Sequence, residues 1–416
     1  MPPKRLLILG GGRYNVPSIR SARDAGFVTI VADKDPDAPG FAIADHALPI
    51  DLNDCDSLIR AVTAAGGING VVSMSEVGVR AAARISAALA LPSISEDAAA
   101  NATSKAAMRR QWATTNYSTG FEGVSTLDEA TVAVEKLQHF PLIFKPDRSY
   151  GGSRGVGRVE SCADVANAFR AAQDGGLPNT SVVIEYCVEG TEHSAELLIW
   201  QGKTSLLCVG QKVKSRRPYR VDVSVQYPAE LSAQQEAIVA QMCHDAASSL
   251  RITQGVAHLE FAYTDHGPVL FELGARCGGG HTPQIAHHVS GVNEFVEACR
   301  MACGEPPSQF VPTTRRGADY RFLAFPPGVA DRVDIPAELH TDSNILDVGI
   351  TVRAGDMIQP LRSTSDRAGF VVSLGESLSD AVSRADRACL DITAHYADGT
   401  SHKAADLVEF RELARS

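Results

Sequence analysis

GVAHLEFAYTDHGPVLFELGARCGGGH, residues 255–281, is the stretch on which the reading of this chain turns. Two apolar runs, HLEFAY and VLFEL, flank Asp265-His266-Gly267, the pattern of an antiparallel hairpin with a tight turn. Each run carries one acid, Glu260 and Glu272, twelve positions apart. An unpaired carboxylate in an apolar strand costs several kcal/mol. A shared divalent cation removes that cost, and carboxylate oxygens beside phosphates and water are what Mg²⁺ prefers. A structural salt bridge to Arg276, four residues after Glu272, is the alternative. Arg276 is followed by Cys277-Gly278-Gly279-Gly280, so its guanidinium lies next to bare backbone, an arrangement suited to stabilising an acyl phosphate.

Upstream, PLIFKPDRSYGGSRGVGRVES (141–161) reads as a strand, a glycine-rich tip and a returning strand. Its backbone N–H groups can fold over phosphates while Lys145 reaches them as a cation, although a surface hairpin with a solvated lysine fits the same pattern. Lys105, in NATSKAAMRRQW, has Arg109 one helical turn onward, and a solvated helix face would explain the lysine standing alone. HSAELLIWQGKTSLLCVGQKV is a strand pair turning at Gln201-Gly202, and LSAQQEAIVAQMCHDAASSL a helix.

The N-terminal stretch alternates strands (KRLLILGG, FVTIVAD, INGVVSMS) with helical segments, which implies a parallel sheet covered by helices over residues 1–95. Gly10-Gly11-Gly12 and Asp33 mimic a dinucleotide fingerprint, but the third glycine is Asn15, so a tight βα turn is the better reading and an NAD dehydrogenase is disfavoured. Glu76 follows the third strand, where open α/β sheets bind ligands; it suits the amine or carboxylate of a substrate, or the N-terminus of a helix. Residues 96–140 read as helical, GEPPSQFVPTT (304–314) as a linker, and 318–375 as short strands before a late amphipathic helix. The 416 residues are 44% hydrophobic with a net charge of −10, which excludes disorder and a dominant nucleic-acid surface. No run is long enough to span a membrane, and the nine scattered cysteines form no CxxC. A reduced, cytoplasmic protein is expected.

In type, order and spacing these motifs resemble the ATP-grasp superfamily, over essentially the whole chain. The resemblance implies an α/β and α+β multidomain protein. Its parts would be a Rossmann-like preATP-grasp domain (1–95), a helical linker beginning the ATP-grasp unit (96–140), a small lid domain (141–190), an ATP-grasp domain of antiparallel sheets with the Mg site (191–310) and a β-rich C-terminal extension (311–416). It makes Lys105 and Lys145 the phosphate lysines, and Tyr150–Val156, with Gly151, Gly152 and Ser153, the lid over the triphosphate. Glu185, Tyr186 and Val188 in VVIEYCVEG would contact adenine, largely through backbone, and Glu192 the ribose. Glu260 and Glu272 become Mg²⁺ ligands, with Mn²⁺ as a substitute ion, and Arg276 and Lys145 the catalytic cations. The asparagine of the family's E-x-N, a third metal ligand in many members, is Gly274 here, which leaves one or two ions open.

Biotin carboxylases have sites resembling E-x-N-x-R-x-Q-V-E-H. Here Arg276 and His281 keep the spacing, while the glutamine and glutamate are glycines. That argues against bicarbonate chemistry and for room for a larger carboxylate. HxE (His258, Glu260) with E-x-x-x-R looks like the bacterial L-amino-acid ligases. The resemblance therefore implies an ADP-forming carboxylate–amine ligase using ATP and Mg²⁺ on small molecules through an acyl phosphate. Glu76, Arg276, Gly279 and His281 would lie on the substrate side. Alternatives are a purine-pathway or biotin-carboxylase-like enzyme and a non-catalytic ATP-binding sensor. A homodimer is the family's expectation, His281 has a capping role as its alternative, and His258, His287 and His288 are expected to be structural.

Overall fold

The computed structural model describes residues 2–404 except Met74, Tyr150, Arg217 and Pro218. The uninterrupted apolar run Leu6–Leu9 is fully buried in the strand Arg5–Leu9, at the centre of a parallel sheet. The sheet order is His46–Leu48, Val28–Ala32, Arg5–Leu9, Gly70–Ser73, and helices Val16–Asp24, Cys55–Ala64 and Glu76–Ala88 follow three of these strands. The chain builds outward on one side of Arg5–Leu9 and then returns to the other. The switch point therefore lies between the loops after Leu9 and Ser73, where open sheets bind ligands. The carboxylate of Asp33 accepts a hydrogen bond from the Gly11 amide (2.8 Å), so it stabilises the glycine turn itself.

Helices Glu96–Asn101 and Lys105–Trp112 begin the next segment, each capped by the preceding serine, Ser95 and Ser104. The stretch 96–140, read as helical, also contains the strand Phe121–Val124. It pairs antiparallel with Val182–Tyr186, which pairs in turn with Leu142–Pro146 and, beyond it, Gly157–Val159. Helices Leu127–Leu137 and Val165–Asp174 complete one small core on this sheet.

The largest sheet is antiparallel and eight-stranded: Gly267–Gly274, Gln254–Thr264, Thr191–Trp200, Lys203–Lys214, Asp222–Tyr227, Gly317–Leu323, Gly369–Gly375, Ile345–Ile350. Both expected hairpins are present. At Gln201 and Gly202 φ is 51° and 74°, the left-handed pair that a two-residue hairpin turn requires. Alternation works on both faces. Leu197 and Ile199 pack under the helix Ala233–Ser249, whereas Leu198 faces the helix Glu294–Ala302 and the N-terminal sheet. Three strands from beyond residue 311 extend this same sheet, so the C-terminal part is continuous with it. The helix Leu378–Asp391 and a four-stranded sheet (Met357–Ile358, Gly328–Asp334, Thr393–Tyr396, Ser401–Lys403) form the remainder. All nine cysteines are free, and no helix among the described residues is long and apolar enough to cross a membrane.

Candidate active site

The hairpin register places Glu260 and Glu272 directly opposite one another, on one face at the sheet's edge. Each has its own lysine: Lys212 Nζ lies 3.0 Å from Glu260, and Lys105 Nζ 2.9 Å from Glu272. Burial works against the charge of both acids. It is outweighed by Lys212 and His258 at Glu260, held well below the usual range, and by Lys105 at Glu272. Lys105 is brought here as the first residue of its helix. Asp147 fixes that helix end by accepting from the Ala106 amide and the Ser104 hydroxyl, both at 2.8 Å.

Lys145 is enclosed one step away. Its Nζ is 2.6 Å from Glu185 Oε1, while Arg109 Nε donates to Glu185 Oε2 (2.8 Å) and Arg109 Nη2 to the Phe271 carbonyl (2.9 Å). Arg109, one helical turn after Lys105, is fully buried and joins three elements. Burial first, then the Arg109 charge, depresses the Lys145 pKa to about 8 against the opposing pull of Glu185. The Glu185 side chain is therefore committed to these cations, and backbone is what it retains for another partner. The Tyr186 hydroxyl donates to the Leu137 carbonyl (3.1 Å), and Val188 lies half-buried just past the strand. Glu192 is held by Lys214 (2.6 Å), which also pairs with Asp222 (2.7 Å). Gly151, Gly152 and Ser153 all have positive φ, and the Gly152 carbonyl accepts from Thr364 Oγ1 (2.9 Å) of the C-terminal part. Tyr150, expected in this loop, lies outside the described residues.

Across the switch point, Glu76 begins its helix and accepts from Arg276 Nε at 3.0 Å. Burial above all raises the Glu76 pKa, Glu272 adding to it and Arg276 opposing. A Cβ on Gly274 would sit 2.9 Å from the Glu76 carboxylate and 3.3 Å from the Arg276 guanidinium carbon. Any side chain at 274, the asparagine of E-x-N included, would project into this ion pair. The expected room beyond the glycines is only partly there. A Cβ on Gly278 would meet Thr282 and Glu196, and one on Gly280 the Tyr320 hydroxyl at 2.8 Å, whereas Gly279 faces open space.

His281 is the N-cap residue of the helix Thr282–Ser290, yet its side chain makes no capping bond. It turns instead toward Asp347, with Nε2 3.1 Å from Oδ2. The oxygen lies off the hydrogen-bonding direction of that nitrogen, which has no hydrogen-bond partner among the described residues. Two residues before Glu260 on the same strand, His258 Nδ1 is 2.6 Å from the fully buried Glu196, which also accepts from the Gly278 amide (3.2 Å). Burial disfavours the imidazolium, but Glu196 and Glu260 lift His258 to about 9. His258 is thus a charged support for Glu260. Sequence offered no signal for Glu196, whose partners lie on other strands.

An ATP-grasp domain model matches residues 138–284, the segment holding Lys145, Glu185, Glu260, Glu272 and Arg276. The chain belongs to the ATP-grasp superfamily. A second model, the L-amino acid ligase C-terminal domain 2, matches residues 321–397 and sets this ATP-grasp protein on the carboxylate–amine ligase branch. The fold is similar to the crystal structure of L-amino acid ligase from Bacillus licheniformis, with TM-score 0.80, 22% identity, 95% of this chain and 99% of that one. Among curated relatives, the uncharacterized protein y4rH of Sinorhizobium fredii is 24% identical over 91% of this chain and 80% of its own length. Dapdiamide A synthase of Enterobacter agglomerans is 28% identical over 44% of this chain, which matches only 43% of that synthase's length.

ATP and Mg²⁺ are the cofactors of ATP-grasp ligases, and the residues present fit them. Glu260 and Glu272 are two oxygen donors side by side, and among the described residues no larger cluster of metal-ligating side chains exists. Two carboxylates, completed by phosphates and water, are what Mg²⁺ takes from a protein. Arg109 Nη1 is buried without a hydrogen-bond partner among the described residues, beside the two lysines.

Proposed function

We propose that this ATP-grasp protein joins a small carboxylate, an amino acid or a natural-product acid, to an amine, forming an amide or peptide bond through an acyl phosphate. The observation that carries this reading is the register pairing of Glu260 with Glu272, with Lys105 on one side and the Glu76–Arg276 pair on the other. Mg²⁺ held by Glu260 and Glu272 would screen the phosphate charge during phosphoryl transfer. Lys105 and Lys145, freed from their carboxylates, hold the phosphate oxygens. Glu185, Tyr186 and Val188 offer backbone to the base and Glu192 its carboxylate to the ribose.

The substrate carboxylate attacks the γ-phosphorus, ADP leaves, and Arg276 holds the acyl phosphate. An amine then attacks the carbonyl carbon and expels phosphate. Glu76 and the open face at Gly279 contribute to the carboxylate pocket. The positive φ values at Gly151 and Gly152 suit a loop that closes to exclude water from the acyl phosphate. The glycines at 278 and 280 leave no carboxylate to act as a base on bicarbonate, which favours ligation over carboxylation.

The test is ADP release over a panel of carboxylates with either amino acids or hydroxylamine, with mass spectrometry of the products. Amide or hydroxamate formed with equal ADP supports the reading. ADP that forms only with bicarbonate or a phosphoribosyl amine, or not at all, overturns it.

A further inference from the structure

The C-terminal part reaches the glycine loop and the neighbourhood of Glu192 through one short segment, residues 359–367. Its turn Thr364–Asp366 is built to hold its shape. Asp366 Oδ2 accepts from the Arg362 amide (3.1 Å), the Ser363 amide (2.7 Å) and the Ser363 hydroxyl (2.8 Å). From this turn Thr364 donates to the Gly152 carbonyl. Just past it, Arg367 Nε and Nη2 both donate to the Asp222 carbonyl, at 3.1 and 2.8 Å. The guanidinium carbon lies 3.6 Å from the centre of the Phe322 ring, and the side chain is only 18% exposed.

Asp222 begins the strand Asp222–Tyr227 and pairs with Lys214 just past a register shift in the ladder. Its carboxylate shares the Lys214 ammonium with Glu192, at 2.7 and 2.6 Å. A guanidinium fork closed on the Asp222 carboxylate would compete with Lys214 for it. This one grips the Asp222 backbone, its distance to the nearer carboxylate oxygen being 3.8 Å, and leaves the carboxylate to Lys214. The order of that chain matters when a nucleotide arrives. Ribose hydroxyls are neutral, so a Glu192 that turns to them gives Lys214 no charge in exchange. Lys214 is then retained by Asp222, and Asp222 by Arg367. We infer that Arg367 is a positioning residue of the nucleotide site. Acting through Asp222 and Lys214, it sets the Glu192 carboxylate for the ribose, so that the segment 359–367 governs the preference for a ribonucleotide over its 2′-deoxy form. The inference rests on the assignment of Glu192 to the ribose made above.

The experiment titrates the full chain calorimetrically with MgADP and with Mg-2′-deoxyADP, which needs neither the carboxylate nor the amine. Wild-type protein should bind MgADP about tenfold more tightly, the value of one hydrogen bond to a charged group. Arg367→Met should weaken MgADP about fivefold and leave the deoxy form nearly unchanged, so that the ratio falls toward one. Arg367→Lys keeps the charge over Phe322 but cannot grip the carbonyl with two donors, and its ratio should be intermediate. Lys214→Gln leaves the Arg367 contacts in place and should also lower the ratio, with no further loss when combined with Arg367→Met. Equal weakening of both nucleotides in the Arg367 variants, or an unchanged ratio, overturns the inference. The ribose assignment is checked separately with Glu192→Gln. A wild-type ratio near one, or a preference that survives Glu192→Gln, overturns that assignment and the inference with it. A preference that Glu192→Gln abolishes and the Arg367 variants leave intact overturns the inference alone.

Discussion

Two pairs of glutamates lie close together on the same region of the large sheet, Glu196 sharing the face of Glu260 and Glu272, and they behave in opposite ways. Glu260 and Glu272 are about one-third exposed, at 35% and 32% for their side chains, and each has a lysine as counter-ion. Glu196 and Glu294 are fully buried. Glu196 is fixed by His258 and the Gly278 amide, and neither oxygen of Glu294 has a hydrogen-bond partner among the described residues. Burial, with Glu196 nearby, raises the Glu294 pKa well above its usual range. An acid serves a ligand when its counter-ion can be exchanged for that ligand. An acid sealed against a histidine serves the framework.

That contrast can be broken most severely at the open pair. Glu272→Ala removes a metal donor and releases Lys105, and is expected to lower ADP formation by about 10³-fold or more with little change in thermal stability. Glu196→Gln should do the reverse. It leaves the His258 charge buried without its partner, at a cost of about 3–5 kcal/mol of stability in chemical denaturation. A Glu196→Gln variant that loses activity but none of its stability would erase the distinction between the pairs.

Glu294→Gln sharpens it further. A group whose pKa is raised by folding contributes stability that is complete below its ordinary value of 4.5 and is lost as pH rises toward the folded pKa. The wild-type protein should therefore lose up to about 1.4 kcal/mol per pH unit through this group, and the variant should flatten that part of the profile. Smallest is Thr364→Val, which removes one hydrogen bond to the Gly152 carbonyl, worth about 1 kcal/mol. ATP KM should shift by less than about fivefold.

The open pair was legible from sequence because its acids interrupt apolar alternation at a readable spacing, and the same alternation announced both hairpins. Lys105 and Lys145 were legible as members of a set. Arg109 was not, since its partners Glu185 and Phe271 are 76 and 162 positions away and nothing local distinguishes it from a solvated helix residue. The strand Phe121–Val124 owes its existence to pairing with Val182–Tyr186, and its short FEGV sequence carries no alternation to announce that. Continuity of the C-terminal strands with the central sheet is likewise a matter of long-range pairing, Tyr227 with Ala318 and Gly317 with Gly375. The missing asparagine at Gly274 was visible in sequence, but the Glu76–Arg276 ion pair beside that position required the fold.

The central claim is that a carboxylate is activated as an acyl phosphate beside Glu260, Glu272 and Arg276. Its most direct measurement uses a carboxylate substrate labelled with ¹⁸O in both oxygens, turned over with ATP and an amine. Mass spectrometry of the released inorganic phosphate then reports the route. The account predicts one ¹⁸O in each phosphate, because the oxygen that attacked phosphorus leaves with it when the amine attacks carbon. Unlabelled phosphate accompanying amide formation would contradict it.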